Sequence, residues 1–219
     1  LLASPSNPTG TSIDPTELRR IHEVVRARGG ITLIDEIYLG LSHDEQFGHS
    51  ALALGEDLIS INSFSKYFNM TGWRLGWLVA PDDLVDAAYA RMSNLFLTPP
   101  VLAQHAGLVA FDCAPELDGH IATYAANRAA MLAALPALGL AKIAPPDGAF
   151  YIWADIGHLT DDSMDFCTRL LEETGVACAP GVDFDPVDGH RFMRFSFAVS
   201  TAEVEEAIAR MVPWFARQG

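Results

Sequence analysis

Gly29-Gly30-Ile31-Thr32-Leu33-Ile34-Asp35-Glu36-Ile37-Tyr38 is the stretch on which the fold class turns. The two glycines stop the segment before them. Ile31 to Asp35 then form a short β-branched run without polar alternation, as expected of a strand covered on both faces. Upstream, Asp14, Pro15 and Glu17 read as the N-cap, N1 proline and capping-box acid of a helix through about Arg28. Leu1 to Ala3 read as a buried strand entering the turn Ser4 to Gly10, and the chain is expected to extend before Leu1. Strand, helix and strand make a β-α-β unit.

Downstream, Leu58–Phe64 and Leu75–Ala80 are two more buried-strand candidates. Pro81-Asp82-Asp83 opens a helix to about Asn94, Thr98-Pro99-Pro100 breaks the chain, and a further helix covers Val101–Phe111. Strands alternating with helices give an α/β layer with a mainly parallel sheet flanked by helices. A long helical pattern from Pro115 to about Leu135 is expected to bridge into a smaller C-terminal α+β domain. In that domain Gly148–Ile156, Gly175–Pro180 and Arg191–Ala198 are strand-like, and Ser163–Thr174 and Ala202–Phe215 are helical. The expected division is residues 1–120 and 121–219, with no repeat, low-complexity tract or flexible linker.

The 219 residues are 50% hydrophobic and carry a formal charge of −14, with 14 basic residues against 28 acidic ones. A nucleic-acid partner is excluded, because phosphate-backbone affinity needs clustered Lys and Arg. No apolar run approaches the ~20 residues that span a bilayer, so no membrane or export role is expected. Cys113, Cys167 and Cys178 are odd in number and lack CxxC spacing, which reads as buried free thiols in a reducing cytosol. The histidines show no ligand spacing, and no metal is expected.

Several positions carry chemistry. Asp35 and Tyr38 sit at the C-terminal end of a strand, where ligands of open α/β sheets gather; Asp35 alone could equally cap the turn. Lys66 lies among Phe64, Tyr67 and Phe68, which suggests a partly desolvated amine able to act as a nucleophile, the alternative being a snorkelling lysine. Arg74 is either an anion clamp or the partner of an acid. Tyr151 and Trp153 read as core packing. Together, a carboxylate, a phenol, an amide, a lysine and an arginine at strand ends suit a phosphorylated, cationic heteroaromatic cofactor. Pyridoxal phosphate needs such an amine, anion, donor set and phosphate cup.

Asn7-Pro8-Thr9-Gly10, Asp35 to Tyr38, Ser63-Phe64-Ser65-Lys66 with Gly72 to Trp77, and Met193 to Ala198 resemble, in order and spacing, the motifs of the class I/II aminotransferases. These are the aspartate aminotransferase-like, fold-type I pyridoxal-phosphate enzymes, and the resemblance covers the whole chain. It implies that Lys66 forms the Schiff base and shuttles the proton, and that Asp35 pairs with the pyridinium nitrogen. It further implies that Asn7 and Tyr38 bond the phenolic oxygen and that Ser63 and Arg74 bind the phosphate. Arg194, with Asn7, would hold the substrate α-carboxylate; the family pattern selects Arg194 over Arg191.

The family's chain is roughly twice this one. Residues 1–120 would then be the remainder of a large cofactor-binding domain and 121–219 the small domain. The resemblance implies a cytoplasmic homodimeric aminotransferase acting on an amino acid and a 2-oxo acid. Another fold-type I reaction, such as a lyase or synthase, and a noncatalytic regulatory fragment are the alternatives. Ser93 to Pro100 holds Leu95, Phe96 and Leu97 but no arginine, and Arg91 is the nearest. An apolar or aromatic amino donor, with an acceptor such as 2-oxoglutarate, is therefore expected.

Overall fold

The computed structural model describes residues 1–218, and the chain divides into two compact units. Leu1–Ser6 and Ser12–Gly119 make the first; Asn7–Thr11 and His120–Gly219 make the second. The short segment Asn7–Thr11 thus leaves its sequence neighbours to join the far half of the chain.

The first unit holds a four-stranded sheet in the order β1 (Leu2–Ala3), β2 (Thr32–Asp35), β3 (Leu58–Ser63), β4 (Gly76–Val79). β1, β2 and β3 run parallel, and β4 is antiparallel to β3. Helix α1 (Pro15–Ala27) starts at Asp14, whose carboxylate accepts from the Thr16 and Glu17 amides. A cap of this kind stabilises a helix by about 1 kcal/mol. The expected capping box does not form: the Glu17 carboxylate turns to Arg20 instead, at 2.6 Å. Leu18 of α1 packs with Ile34, Ala51 and Leu58 into one core cluster.

Glu36, next to Asp35, is buried and accepts from the hydroxyls of Ser50 and Ser60 and the amide of Ala51. Those bonds tie the strand end to the following loops and satisfy a carboxylate that would otherwise be costly to bury.

Two expectations of full burial fail. Leu1 is 90% exposed, and β4 is largely exposed, with Leu78 and Val79 facing solvent. Both strands are edges of the described sheet, so an apolar run there reads as buried without being covered. Helices α2 (Asp82–Phe96) and α3 (Val101–Ala110) follow, and Phe64, Met70 and Ala110 form a second cluster with Phe68, Leu75 and Trp77 against it.

Helix α4 (Ala114–Ala134) contains the boundary between the units. In the second unit, β5 (Tyr151–Asp155), β7 (Phe192–Ser196) and β6 (Ala179–Pro180) form an antiparallel sheet in that order. Alternation sends Ile152, Ala154, Met193 and Phe195 into a core with Phe166 of α5 (Ser163–Thr174) and Trp214 of α6 (Thr201–Phe215). Phe166 and Trp214 are both essentially inaccessible, and truncation of such rings costs about 3–5 kcal/mol. Asn127 of α4, fully buried, donates to the carbonyls of Phe197 and Val199 and fixes the exit of β7. The opposite sheet face carries Tyr151, Trp153 and Arg194.

Candidate active site

In the first unit the assigned side chains stand at or just beyond the C-terminal ends of β2 and β3. Asp35 pairs in register with Ala3 and Ile61, and its Oδ1 accepts from the Ile37 amide at 3.0 Å. The carboxylate therefore caps the turn, one of the two readings its sequence allowed, and the bond also fixes its direction at the strand end. Tyr38, buried at 6% exposure, lies beneath Lys66, whose Nζ is 5.6 Å from the ring centroid. That is cation–π range for a charged amine.

The segment Phe64 to Leu75 is stitched at several points. Phe64 donates to Leu75 O, Met70 to Phe64 O, Asn69 to Lys66 O, and the Thr71 hydroxyl to Ser65 O at 2.6 Å. Lys66 is thus presented by a fixed backbone. Gly40, just past Tyr38, is held to glycine by space, since a Cβ there would meet the Tyr67 ring at 2.8 Å. Phe64 and Phe68 turn away from Lys66 into the cluster with Trp77 and Phe111. Tyr38 is an aromatic partner of the amine that comes from outside its own segment. Tyr67 donates to Asp118, and burial, followed by that carboxylate, pushes its phenol pKa up.

Ser63 Oγ accepts from the Ser65 amide and lies within hydrogen-bond distance of both Ser65 Oγ, at 2.9 Å, and Leu75 O, at 3.0 Å. Having one proton, it donates to only one of the two. The reading of the sequence passed over Ser65, although its i, i+2 spacing from Ser63, directly before Lys66, was a visible signal. Arg74 adopts a left-handed conformation with φ +53° and donates from Nη1 to Thr71 O. A non-glycine residue there costs on the order of 1–2 kcal/mol, which the stitched segment sustains. Its guanidinium borders a groove with Tyr89, Met92, Phe96 and Leu97.

In the second unit the two candidate arginines separate cleanly. Arg191 forms an ion pair with Asp155, Nη2 to Oδ2 at 2.7 Å. Arg194 has no carboxylate partner among the described residues. Its guanidinium carbon lies 4.3 Å from the Tyr151 ring centroid and 4.6 Å from that of Phe184, its Nη1 donates to Asn7 Oδ1 at 2.6 Å, and its Nε is buried without a partner. A charged fork held between two rings and fixed by one amide is ready for a planar anion. Tyr151 is buried as expected, and it also supports Arg194; Phe184 had not been singled out. Trp153 stacks on Phe192 at 5.2 Å. The thiols are unbridged, but only Cys167 is fully buried.

Burial raises the Asp155 pKa, but the Gly157 amide, Arg191 and Lys142 outweigh it and hold the carboxyl below its ordinary value. Its contribution to stability is therefore complete above about pH 4 and is lost as pH falls through the depressed folded value. Asp155→Asn should destabilise the protein at pH 7 and flatten the loss of stability below about pH 4. Urea unfolding across that range checks it, and an unchanged acid limb counts against the assignment.

A sheet with parallel strands whose C-terminal ends carry a carboxylate, a phenol and a lysine-bearing loop is an α/β arrangement of the kind at whose strand ends ligands gather. The chain belongs to the aminotransferase class I and II family, whose model matches residues 1–211. It is 44% identical over 221 residues to valine–pyruvate aminotransferase of Mycobacterium tuberculosis, covering 100% of this chain and 57% of that one. Among solved structures, an aminotransferase from Mycobacterium tuberculosis matches at a TM-score of 0.95 and 44% identity, over 99% of this chain and 57% of its own. The aromatic aminotransferase from Pyrococcus horikoshii matches at 0.87 and 29% identity, over 99% and 59%. The chain thus spans a little over half the length of these relatives.

Proposed function

We propose that the protein is a pyridoxal-phosphate-dependent aminotransferase that moves an amino group from an amino acid to a 2-oxo acid. The observation that carries this reading is Arg194, a stacked guanidinium with a buried, unpartnered Nε and no acid of its own. The residues fit the cofactor: an amine at Lys66, a carboxylate at Asp35, a phenol at Tyr38, and the hydroxyls of Ser63 and Ser65 with Arg74 for a phosphate.

When bound, pyridoxal phosphate supplies an electron sink for the charge left as the substrate Cα–H bond breaks. Lys66 Nζ would hold the cofactor and, once the substrate amine has taken its place, would accept the Cα proton and return it to the cofactor's carbonyl-derived carbon. Asp35, its direction set by the Ile37 amide, would keep a proton on the ring nitrogen. Tyr38 and Asn7 serve the phenolic oxygen in this reading. Asn7 also braces Arg194, whose two parallel donors fix the plane of the substrate α-carboxylate, because a misplacement of ~1 Å at the reacting carbon costs ~10²-fold.

An apolar amino donor is proposed, since Leu95, Phe96 and Leu97 bring no cation to the segment before Pro99; the name of the Mycobacterium tuberculosis relative supports valine with pyruvate. A homodimer is part of the proposal, supported by the apolar side chains left exposed on α2 and α3, such as Leu95, Phe96 and Leu102. Sedimentation of the purified protein as a monomer would remove it. A cytoplasmic location is proposed on the unbridged cysteines.

The test loads the protein with cofactor, supplies valine, phenylalanine or aspartate with pyruvate or 2-oxoglutarate, and quantifies the new amino acid. Nitrogen passed to the acceptor is expected, fastest from valine. Ammonia or carbon dioxide released with no new amino acid formed establishes the lyase or decarboxylase alternative instead.

A further inference from the structure

The second unit also holds a basic bowl at the Asp155 end of the β5–β7 pairing. It is a cavity of about 350 Å³ lined by Lys142, Asp155, His158 and Arg191, with Gly139 and Gly157 at its walls. Backbone bonds fix the segments that carry these side chains. Asp155 N donates to Lys142 O at 2.9 Å, Ile156 N to Arg191 O at 2.8 Å, and Gly157 N to Asp155 Oδ1 at 2.9 Å. The glycines leave the space open: a Cβ on Gly157 would meet Arg191 Nε at 3.1 Å, and one on Gly139 would touch His158 Nε2 at 3.9 Å.

Asp155 offsets one of the two cations through its ion pair with Arg191, which leaves a local excess of one positive charge before His158 is counted. The Asp155 oxygens are engaged by the Gly157 amide and by Arg191 Nη2, so its role is to fix the guanidinium, whose Nε is buried without a partner. Two permanent cations and an imidazole face one carboxylate, on a chain whose formal charge is −14. Charges more than about 8 Å away are largely screened at physiological salt, so the local excess decides what binds. The chain has two lysines, Lys66 and Lys142, and this bowl holds the one without a proposed part in catalysis.

We propose that the bowl is a second anion site, taking the dianionic phosphoryl group of inorganic phosphate or a phosphate monoester. A guanidinium fork, an ammonium and an imidazole N–H come from three separate segments and suit a tetrahedral oxyanion with acceptors in several directions, better than a planar carboxylate. The site stands apart from the proposed transamination and does not depend on it.

Amine acylation of the cofactor-loaded protein, followed by peptide mass spectrometry, reads Lys142 directly. Inorganic phosphate, glycerol phosphate and potassium chloride are compared at one pH and equal ionic strength. Phosphoryl ligand at ten times its dissociation constant should slow Lys142 acylation by about tenfold, with chloride inert and the N-terminal amine unaffected. Protection by both ligands assigns the phosphoryl group itself; protection by glycerol phosphate alone assigns the ester. His158→Gln, an exposed substitution, should weaken protection, and Arg191→Gln should remove it. Should Arg191→Gln fail to fold, His158→Gln decides alone. Rates in phosphate and in glycerol phosphate both equal to that in chloride, slowing of the N-terminus alongside Lys142, or undiminished protection in His158→Gln overturn the proposal.

Discussion

Lys66→Ala should lower amino-group transfer by roughly 10⁴-fold or more, the upper end of what a positioned proton-transfer group contributes, with the anchoring of the cofactor lost as well. The expectation rests on how the side chain is presented. Its carbonyl accepts from Asn69, the preceding carbonyl accepts from Thr71, and its Nζ stands 5.6 Å from the Tyr38 ring centroid. The other lysine of the given sequence is Lys142, so the peptide that carries a label tells the two apart. Lys66→Arg should not restore turnover, because a guanidinium remains protonated and cannot accept the proton. A second readout is independent of rate. After hydride reduction, the wild-type peptide containing Lys66 should carry the cofactor mass, and the Lys142 peptide should not. Turnover retained by Lys66→Ala, or the added mass found on Lys142, sinks the assignment.

The second large effect is expected at Arg194. Arg194→Lys keeps the charge but loses the fork, the contact with the Tyr151 and Phe184 ring faces, and the bond to Asn7. A charge-assisted hydrogen bond is worth roughly 1.5–3 kcal/mol, which corresponds to a fall in kcat/KM of about 10²-fold. The loss should lie mainly in KM for the amino acid, while cofactor binding stays near wild type. Arg191→Lys, which disturbs the pair with Asp155 and the bowl beside it, should leave kcat/KM for the amino acid within about threefold. Equal losses in the two variants would show that Arg194 acts through the sheet rather than on the substrate.

Much of the fold was legible because its signals are local. Asp14 before Pro15, Gly29-Gly30 after α1, and the run ending at Asp35 each announce an element within a few residues, and α5 begins and ends at Ser163 and Thr174 as read. What failed depended on neighbours distant in sequence. Glu17 satisfied the capping-box pattern, yet Arg20 competed for its carboxylate; the box formed instead at Ser200 and Glu203, an equally readable pattern that was passed over. The apolar run in β4 gave no sign that the strand would lie at an edge of the sheet formed by the described residues.

The candidate site shows the same division. Lys66 and Asp35 stand out by their place at strand ends. Phe184 could not, since only folding puts its ring beside Arg194, and nothing in its own segment marks it. The choice between Arg191 and Arg194 likewise rests on resemblance in the sequence, and only folding brings Asp155 to Arg191.

The bond between Arg194 and Asn7 joins residues 187 apart. On a ribosome adding ~5–20 residues each second, Asn7 is in place for roughly ten seconds or more before its guanidinium partner is synthesised. The antiparallel β5–β7 pair and its helices can assemble from nearer sequence, whereas the amide contact closes a loop of 187 residues, at an entropic cost that grows only logarithmically with length. The contact that braces the Arg194 guanidinium therefore forms only after the segment carrying β7 has been made, long after Asn7.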